Sequence, residues 1–251
     1  MISIIDDAIL NQLRDCQIKS IETIANYLAD DTKRSCLISL PTGAGKSGVI
    51  CTIGHFSSFE KILVVTHRRA VCNQLYKQLK GKFFEKILSS EIDYKQFLTK
   101  RIFNQINHTE ENGIYCTTFQ KIITLSEDEL LALKTTFNLI LIDEGHAEPS
   151  PKWGTAIREL KAKKVIITAT PYRNDLFSFD IDAEHSYIYT YKQAIEDRVI
   201  VTPNFETINI SKSIEEADFT QLYEKINRIK EIQPDSVCII KCKEFRDIEI
   251  F

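Results

Sequence analysis

Residues 36–47 read CLISLPTGAGKS: a short apolar run, a turn carrying two glycines, then a lysine and a serine. The run 36–40 predicts a strand, and a helix is expected to start near Gly45. Strand, glycine turn and helix in that order are the context a phosphate-binding loop requires. Gly43 and Gly45 let the backbone close around phosphate oxygens, with Thr42 and Ala44 completing the cradle. The unpaired N–H groups and dipole of the following helix favour an anion there. Lys46 is suited to reach the β- and γ-phosphates of ATP, and the Ser47 hydroxyl to coordinate Mg²⁺. The general pattern G-x-x-x-x-G-K-[ST] is not met in full, because Leu40 stands at its first glycine. An ordinary glycine turn is the bland alternative; the flanking strand and helix argue against it.

Working outward, residues 61–66 (KILVVT), 113–117 (GIYCT), 138–142 (NLILI) and 164–169 (KVIITA) are further nearly continuous apolar runs. Such runs read as strands buried on both faces, the mark of a parallel sheet. Between them, 17–29 places Ile18, Ile21, Ile24, Ala25 and Leu28 at helical spacing, and 69–80 repeats this with Val71, Leu75 and Leu79. The alternation predicts an α/β fold, a mostly parallel sheet with helices on both faces. Strand C-termini then gather on one edge, where ligands bind.

The run 139–146 (LILIDEGH) delivers two carboxylates and a histidine to that edge. Asp143 is suited to hold Mg²⁺, a hard ion that takes oxygen ligands. Glu144 is suited to orient and deprotonate the water that attacks the γ-phosphate. His146 would relay the state of that phosphate to neighbouring segments. An acidic pair ending a strand is often only a solvated turn. Following a phosphate loop by about a hundred residues in one sheet, it is far more specific.

Composition sets the surroundings. With 43% hydrophobic and 27% charged residues, 251 residues make an ordinary globular chain. Its net charge of −3 excludes a global basic field of the kind a histone-like binder carries. The seven cysteines (Cys16, Cys36, Cys51, Cys72, Cys116, Cys238, Cys242) are scattered, odd in number and free of C-x-x-C pairs. That points to reduced, buried thiols in a cytoplasmic protein, with neither a disulfide framework nor a zinc site. No apolar run has the length to cross a bilayer, so no membrane association is expected.

PTGAGKS (41–47), DEGH (143–146) and TATPYR (168–173) resemble, in order, motifs I, II and III of the superfamily 2 helicases and translocases. Within that superfamily they are most similar to the DEAH-like group that includes the helicase subunits of restriction enzymes. The resemblance covers about residues 10–210 and implies a RecA-like P-loop NTPase domain, an ATP hydrolase and a nucleic-acid partner, DNA rather than RNA. It places LRDCQ (13–17) at an adenine-reading element, with Gln17 on the adenine edge and Arg14 nearby; taken alone, Gln17 is merely the polar start of a helix. VVTHRRAVCNQ (64–74) resembles motif Ia, which touches the nucleic-acid backbone. Thr66, His67 and Arg68 are its candidates, against the alternative of a helix cap with two solvated arginines. TTFQ (117–120) resembles the next strand-contacting motif, through Thr117, Thr118 and Gln120. Thr168 and Thr170 would bond the DEGH carboxylate or histidine and so link nucleotide state to strand grip. Arg173 is open between the phosphate backbone, a second domain and a surface ion pair. Arg198, in YKQAIEDRVIVTP (191–203), stands where the restriction-type branch often has glycine, and Gly145 replaces the alanine of DEAH.

The expected organisation is a first RecA-like domain over 1–210, a helical linker over 211–235, and the start of a truncated second RecA-like domain over 236–251. Within 213–232, Ile214, Phe219, Leu222, Ile226 and Ile229 form the expected buried stripe of a helix. The resemblance implies that the second domain supplies an arginine finger, so this chain alone would hydrolyse ATP slowly; a nuclease partner in restriction or defence is also implied. Two other classes compete with the motor: a P-loop ATPase that remodels proteins, and a non-catalytic binding module. TATPYR and the HRR corner speak against the first, and intact Lys46, Ser47, Asp143 and Glu144 against the second.

Overall fold

A computed structural model describes residues 2, 5–106, 109–144, 160–171, 180–202, 216–232 and 234. The chain divides into two compact units, Met1–Val201 and Thr202–Phe251.

The first unit is built on seven parallel strands: β1 (Ser35–Ser39), β2 (Lys61–Thr66), β3 (Ile102–Phe103), β4 (Gly113–Thr118), β5 (Leu139–Asp143), β6 (Lys163–Thr168) and β7 (Ile181–Ile188). Their order across the sheet is β3-β4-β2-β5-β6-β1-β7, each neighbouring pair parallel. The five expected strands are present within a residue or two. Their side chains alternate between two cores, as pleating demands. Cys36, Ile38, Ile62, Val64, Leu139, Leu141, Val165 and Ile167 face one core. Leu37, Leu63, Val65, Ile140, Ile142 and Ile166 face the other. Most are wholly buried, each contributing about 1.5–3 kcal/mol relative to exposure. Two-faced burial is why these strands read as continuous apolar runs.

The first core is covered by α1 (Asp7–Leu10), α2 (Asp15–Ala29), α3 (Lys46–Phe56), α4 (Arg69–Lys77) and α5 (Phe83–Ile87), the second by α6 (Phe119–Ile123) and α7 (Glu127–Thr136). Where one helix over 69–80 was expected, α4 gives way to a wide turn at 78–82, broken at Gly81 (φ 123°). There a side chain would strike Tyr94, 2.8 Å from the would-be Cβ. Strands β3 and β7 were not anticipated. The first has only two residues, and the second, IDAEHSYI, is an edge strand exposing Ala183, Glu184 and Ile188. A register shift between Ser35 and Leu37 accommodates extra β7 residues against β1.

After β7, α8 (Tyr191–Glu196) opens on a capping box between Thr190 and Gln193. It closes in a Schellman turn: Val199 N–H donates to Ala194 O (2.8 Å) and Arg198 N–H to Ile195 O (3.0 Å). Arg198 therefore sits at the left-handed position, φ 57°. That accounts for the glycine of the related branch at this point.

In the second unit the described helix is α9 (Glu216–Ile232). Of the expected stripe, Ile226 is half-buried but Ile229 is 54% exposed, so that position is not covered as anticipated. Ile214 and the side chains of Phe219 and Leu222 lie outside the described residues, as do Cys238 and Cys242. Among the described residues no helix is long and apolar enough to cross a membrane.

Candidate nucleotide and strand site

A parallel sheet puts every strand's C-terminus on one edge, and here five strands end there on a hydroxyl or a carboxylate. These are Ser39, Thr66, Thr118, Asp143 and Thr168. Three of the five were named from sequence as strand contacts or coupling residues, and one as a metal ligand.

The loop between β1 and α3 is held so that its amides face outward. Leu40, at the position of the first glycine in the general pattern, is fully buried in the first core, and its N–H donates to Thr168 O (3.0 Å). The site therefore needs a core side chain there. Gly43 (φ 90°) and Gly45 (φ 96°) take left-handed conformations that other residues adopt at a cost. The loop carbonyls are occupied. Lys46 Nζ donates to Leu40 O (3.4 Å), Ala44 N to Pro41 O (3.1 Å), and Arg14 Nη1 to Gly43 O (2.6 Å). Cys16 Sγ approaches Ala44 O (3.7 Å), and Gln17 Nε2 donates to Gly45 O (2.9 Å). By contrast, the N–H groups of Thr42, Gly43, Gly45, Lys46 and Ser47 have no acceptor among the described residues. Successive free amides at a helix start make an anion-binding concavity.

Gln17 was expected to read a base edge. Here it is 6% exposed, with its amide N–H on Gly45 O and its Oε1 accepting from Arg14 N (3.0 Å). A Cβ on Gly45 would lie 2.6 Å from Gln17 Nε2. Gln17 thus braces the loop and caps α2, and Arg14 pins Gly43.

Across the cradle, Asp143 ends β5 at 7% exposure. Burial pushes its carboxyl up to about 6; the neighbouring Glu144 charge adds to the rise, and the Lys46 ammonium opposes it. Phosphate-loop lysine and strand-end carboxylate therefore sense each other directly. Asp143 Oδ1 is buried without a hydrogen-bond partner. A buried anionic oxygen lacking a donor fits a divalent cation, and Mg²⁺ characteristically uses one or two carboxylates plus phosphates and water. Half-buried Ser47, at the second residue of α3, provides a hydroxyl of the right chemistry. Glu144 follows in a left-handed conformation (φ 55°), which a residue other than glycine adopts at a cost. His146, Gly145 and Arg173 lie outside the described residues. Thr168 Oγ1 accepts from Thr170 N–H (3.1 Å), so this hydroxyl organises the 168–170 turn.

The motif Ia and TTFQ residues converge farther along the same edge. Thr66 is buried, with Oγ1 donating to Arg68 O (3.3 Å); His67 is half-buried and Arg68 exposed. Thr118 caps α6 through Lys121 N–H (3.3 Å). Thr117, Thr118 and Gln120 line a cavity of about 610 Å³ shared with Arg69 and Asn73 of α4. The residues after β3 that close this cavity, Asn104 and Gln105, were missed; a two-residue strand gave no sign of where they would lie.

The family model described as type III restriction enzyme, res subunit, matches residues 10–173. No curated protein matches. Among solved structures, a nuclease-deletion mutant of the Type ISP restriction-modification enzyme LlaGI, in complex with a DNA substrate mimic, superposes with TM-score 0.52. It shares 16% identity over 89% of this chain and 23% of that one. The ATP-dependent Type ISP restriction-modification enzyme LlaBIII, bound to DNA, gives TM-score 0.51 and 17% identity over 74% of this chain and 16% of that one. The chain thus spans less than a quarter of either protein. At such identities the likeness is one of fold.

Proposed function

The chain belongs to the family of the type III restriction enzyme res subunit, and from that premise we propose that it is the ATP-binding motor domain of a nucleic-acid-dependent helicase or translocase serving DNA processing or restriction. The observation that carries the reading is the pairing of a preformed anion cradle with the buried Asp143 carboxylate, whose Oδ1 lacks a donor, opposite Lys46. The amides of Thr42, Gly43, Gly45, Lys46 and Ser47 and the Lys46 ammonium bind the phosphates of ATP, and Ser47 and Asp143 hold Mg²⁺. Magnesium, when bound, neutralises charge on the phosphate oxygens. Glu144 accepts the proton of the attacking water, with His146 beside it in sequence. The hydroxyls of Thr168 and Thr170 couple that site to the strand-contacting edge, formed by Thr66, His67, Arg68, Thr117, Thr118 and Gln120, with Arg173 at the end of the third motif.

We assign 1–210 to this domain, 211–235 to a linker and 236–251 to the opening of a second RecA-like domain. The end of the first compact unit at Val201 supports a boundary near there. An arginine from a second such domain would raise turnover by roughly 10³–10⁵, so the 251-residue chain binds ATP and hydrolyses it slowly. The protein-remodelling alternative is not favoured by the family match.

The test is titration of a fluorescent ATP analogue with Mg²⁺ into the chain and its Lys46→Ala variant, followed by hydrolysis with and without single- or double-stranded DNA and RNA. Loss of analogue binding in the variant and stimulation by nucleic acid are expected. Equal binding by both proteins, or no stimulation of the complete motor by any nucleic acid, would sink the proposal.

A further inference from the structure

The 610 Å³ cavity between α4, the end of β4 and the residues after β3 has a composition that a phosphate-tracking groove does not explain. Its floor is apolar: Cys72, Ile106 and Cys116 are all at most 8% exposed. Its walls carry four carboxamides, from Asn73, Asn104, Gln105 and Gln120, three hydroxyls, from Thr117, Thr118 and Thr124, two cations, Arg69 and Lys121, and no carboxylate. All four carboxamides are exposed and none has a hydrogen-bond partner among the described residues. Tyr76 contributes a half-buried ring to one side.

Phosphate oxygens are met by cations, hydroxyls, carboxamide N–H groups and backbone amides, but they offer nothing for a carboxamide oxygen to accept. Carboxamides are the side chains that offer donor and acceptor together, and so match the edges of bases. A dry floor beneath a polar rim, at a volume within the roughly 300–1,000 Å³ usual for ligand sites, suits a flat ring better than an anion. An unstacked base of a single strand provides both the ring and the edge, and its own phosphates fall to Arg69 and Lys121.

We propose that this cavity receives an unstacked nucleobase of the bound strand, with Asn73, Asn104 and Gln105 bonding its edge. The strand is then gripped by a base as well as by its backbone. This rests on the strand-binding reading above.

The experiment is fluorescence anisotropy of the chain with single-stranded DNA oligonucleotides and with tetrahydrofuran (abasic) oligonucleotides of equal length, over a salt series. The wild-type chain and the Asn73→Ala/Gln105→Ala double variant are compared. Wild-type binding should weaken about tenfold on the abasic strand, in line with the value of a single stacked or edge-bonded base. The double variant should lose that discrimination while keeping its salt slope, which reports phosphate contacts. Equal wild-type affinity for normal and abasic strands overturns the inference and leaves strand binding standing. Discrimination that persists undiminished in the double variant also overturns it. Binding to no strand overturns the strand-binding reading itself, and the inference with it.

Discussion

Replacing Asp143 by asparagine should make the nucleotide-free chain more stable, and only above about pH 4. In the folded chain the carboxyl is raised from 3.8 to about 6, mainly by burial. The folded state therefore holds a proton that the unfolded state has lost between those values. Stability rises with pH only where the unfolded state binds more protons; here it binds fewer. Unfolding free energy thus falls as pH climbs from about 4 to 6 and levels off above. The gap from 3.8 to about 6, at roughly 1.4 kcal/mol per pH unit, is about 3 kcal/mol at most. Asparagine keeps the shape without the charge and escapes this loss. Its Tm advantage in EDTA should be near zero at pH 4 and reach several degrees at pH 7.5, since about 1 kcal/mol shifts a domain of this size by roughly 2–4 °C. Urea denaturation at both pH values measures the same difference directly. An asparagine variant no more stable than wild type at pH 7.5, or an advantage independent of pH, would refute the account of Asp143 as a buried carboxylate whose Oδ1 lacks a donor.

Three other outcomes are expected. Arg198→Gly should raise the urea midpoint, by a few tenths to about 1 kcal/mol. It removes a left-handed penalty of roughly 1–2 kcal/mol and returns part of the gain as unfolded-state entropy. Gly48→Ala should cost about 1–3 kcal/mol in thermal melts by overpacking, because its Cβ would lie 2.4 Å from Gln17 Nε2 and 2.9 Å from Phe83 Cε2. Combined with Gln17→Ala it should cost less than the sum of the two, a coupling that a double-mutant cycle reads. Arg14→Ala should weaken binding of the ATP analogue several-fold while shifting Tm by under about 2 °C, because it loses one exposed bond to Gly43 O (2.6 Å).

How much of this could be read from the chain follows from which signals are local. Strands β1, β2, β4, β5 and β6 are legible because burial on both faces forces apolar residues at successive positions. Strand β7 is an edge, so polar residues interrupt it and it reads as loop. Leu40 looked like a defect in the phosphate-loop pattern and is instead a core residue. Nothing in the identity of Glu144 announces a φ of 55°; that conformation is imposed by the turn at the end of β5. Arg198 was visible as an anomaly only through resemblance, and its φ of 57° shows the cause. Gln17 drew notice only through the resemblance, and the partner it has here lies 28 residues away in the loop. No periodicity reports a contact of that range.

The loop bracing bears on how a phosphate would be met. Five neighbouring N–H groups point at one space, an arrangement that mutual dipole repulsion would break open in a free peptide. Here the carbonyls of Leu40, Gly43, Ala44 and Gly45 each face a side-chain donor, and Pro41 O accepts from the loop's own Ala44 N–H. Gly45 O alone accepts from Gln17 Nε2 and from the N–H of Gly48 and Val49. Beyond the loop, Ile200 lies 3.9 Å from where a Gly43 side chain would begin, brought there by the turn at Arg198. Much of the ordering entropy of an anion nest is therefore lost on folding rather than on binding. Lys46 is held more loosely: its 3.4 Å contact with Leu40 O is long enough to exchange for a phosphate oxygen.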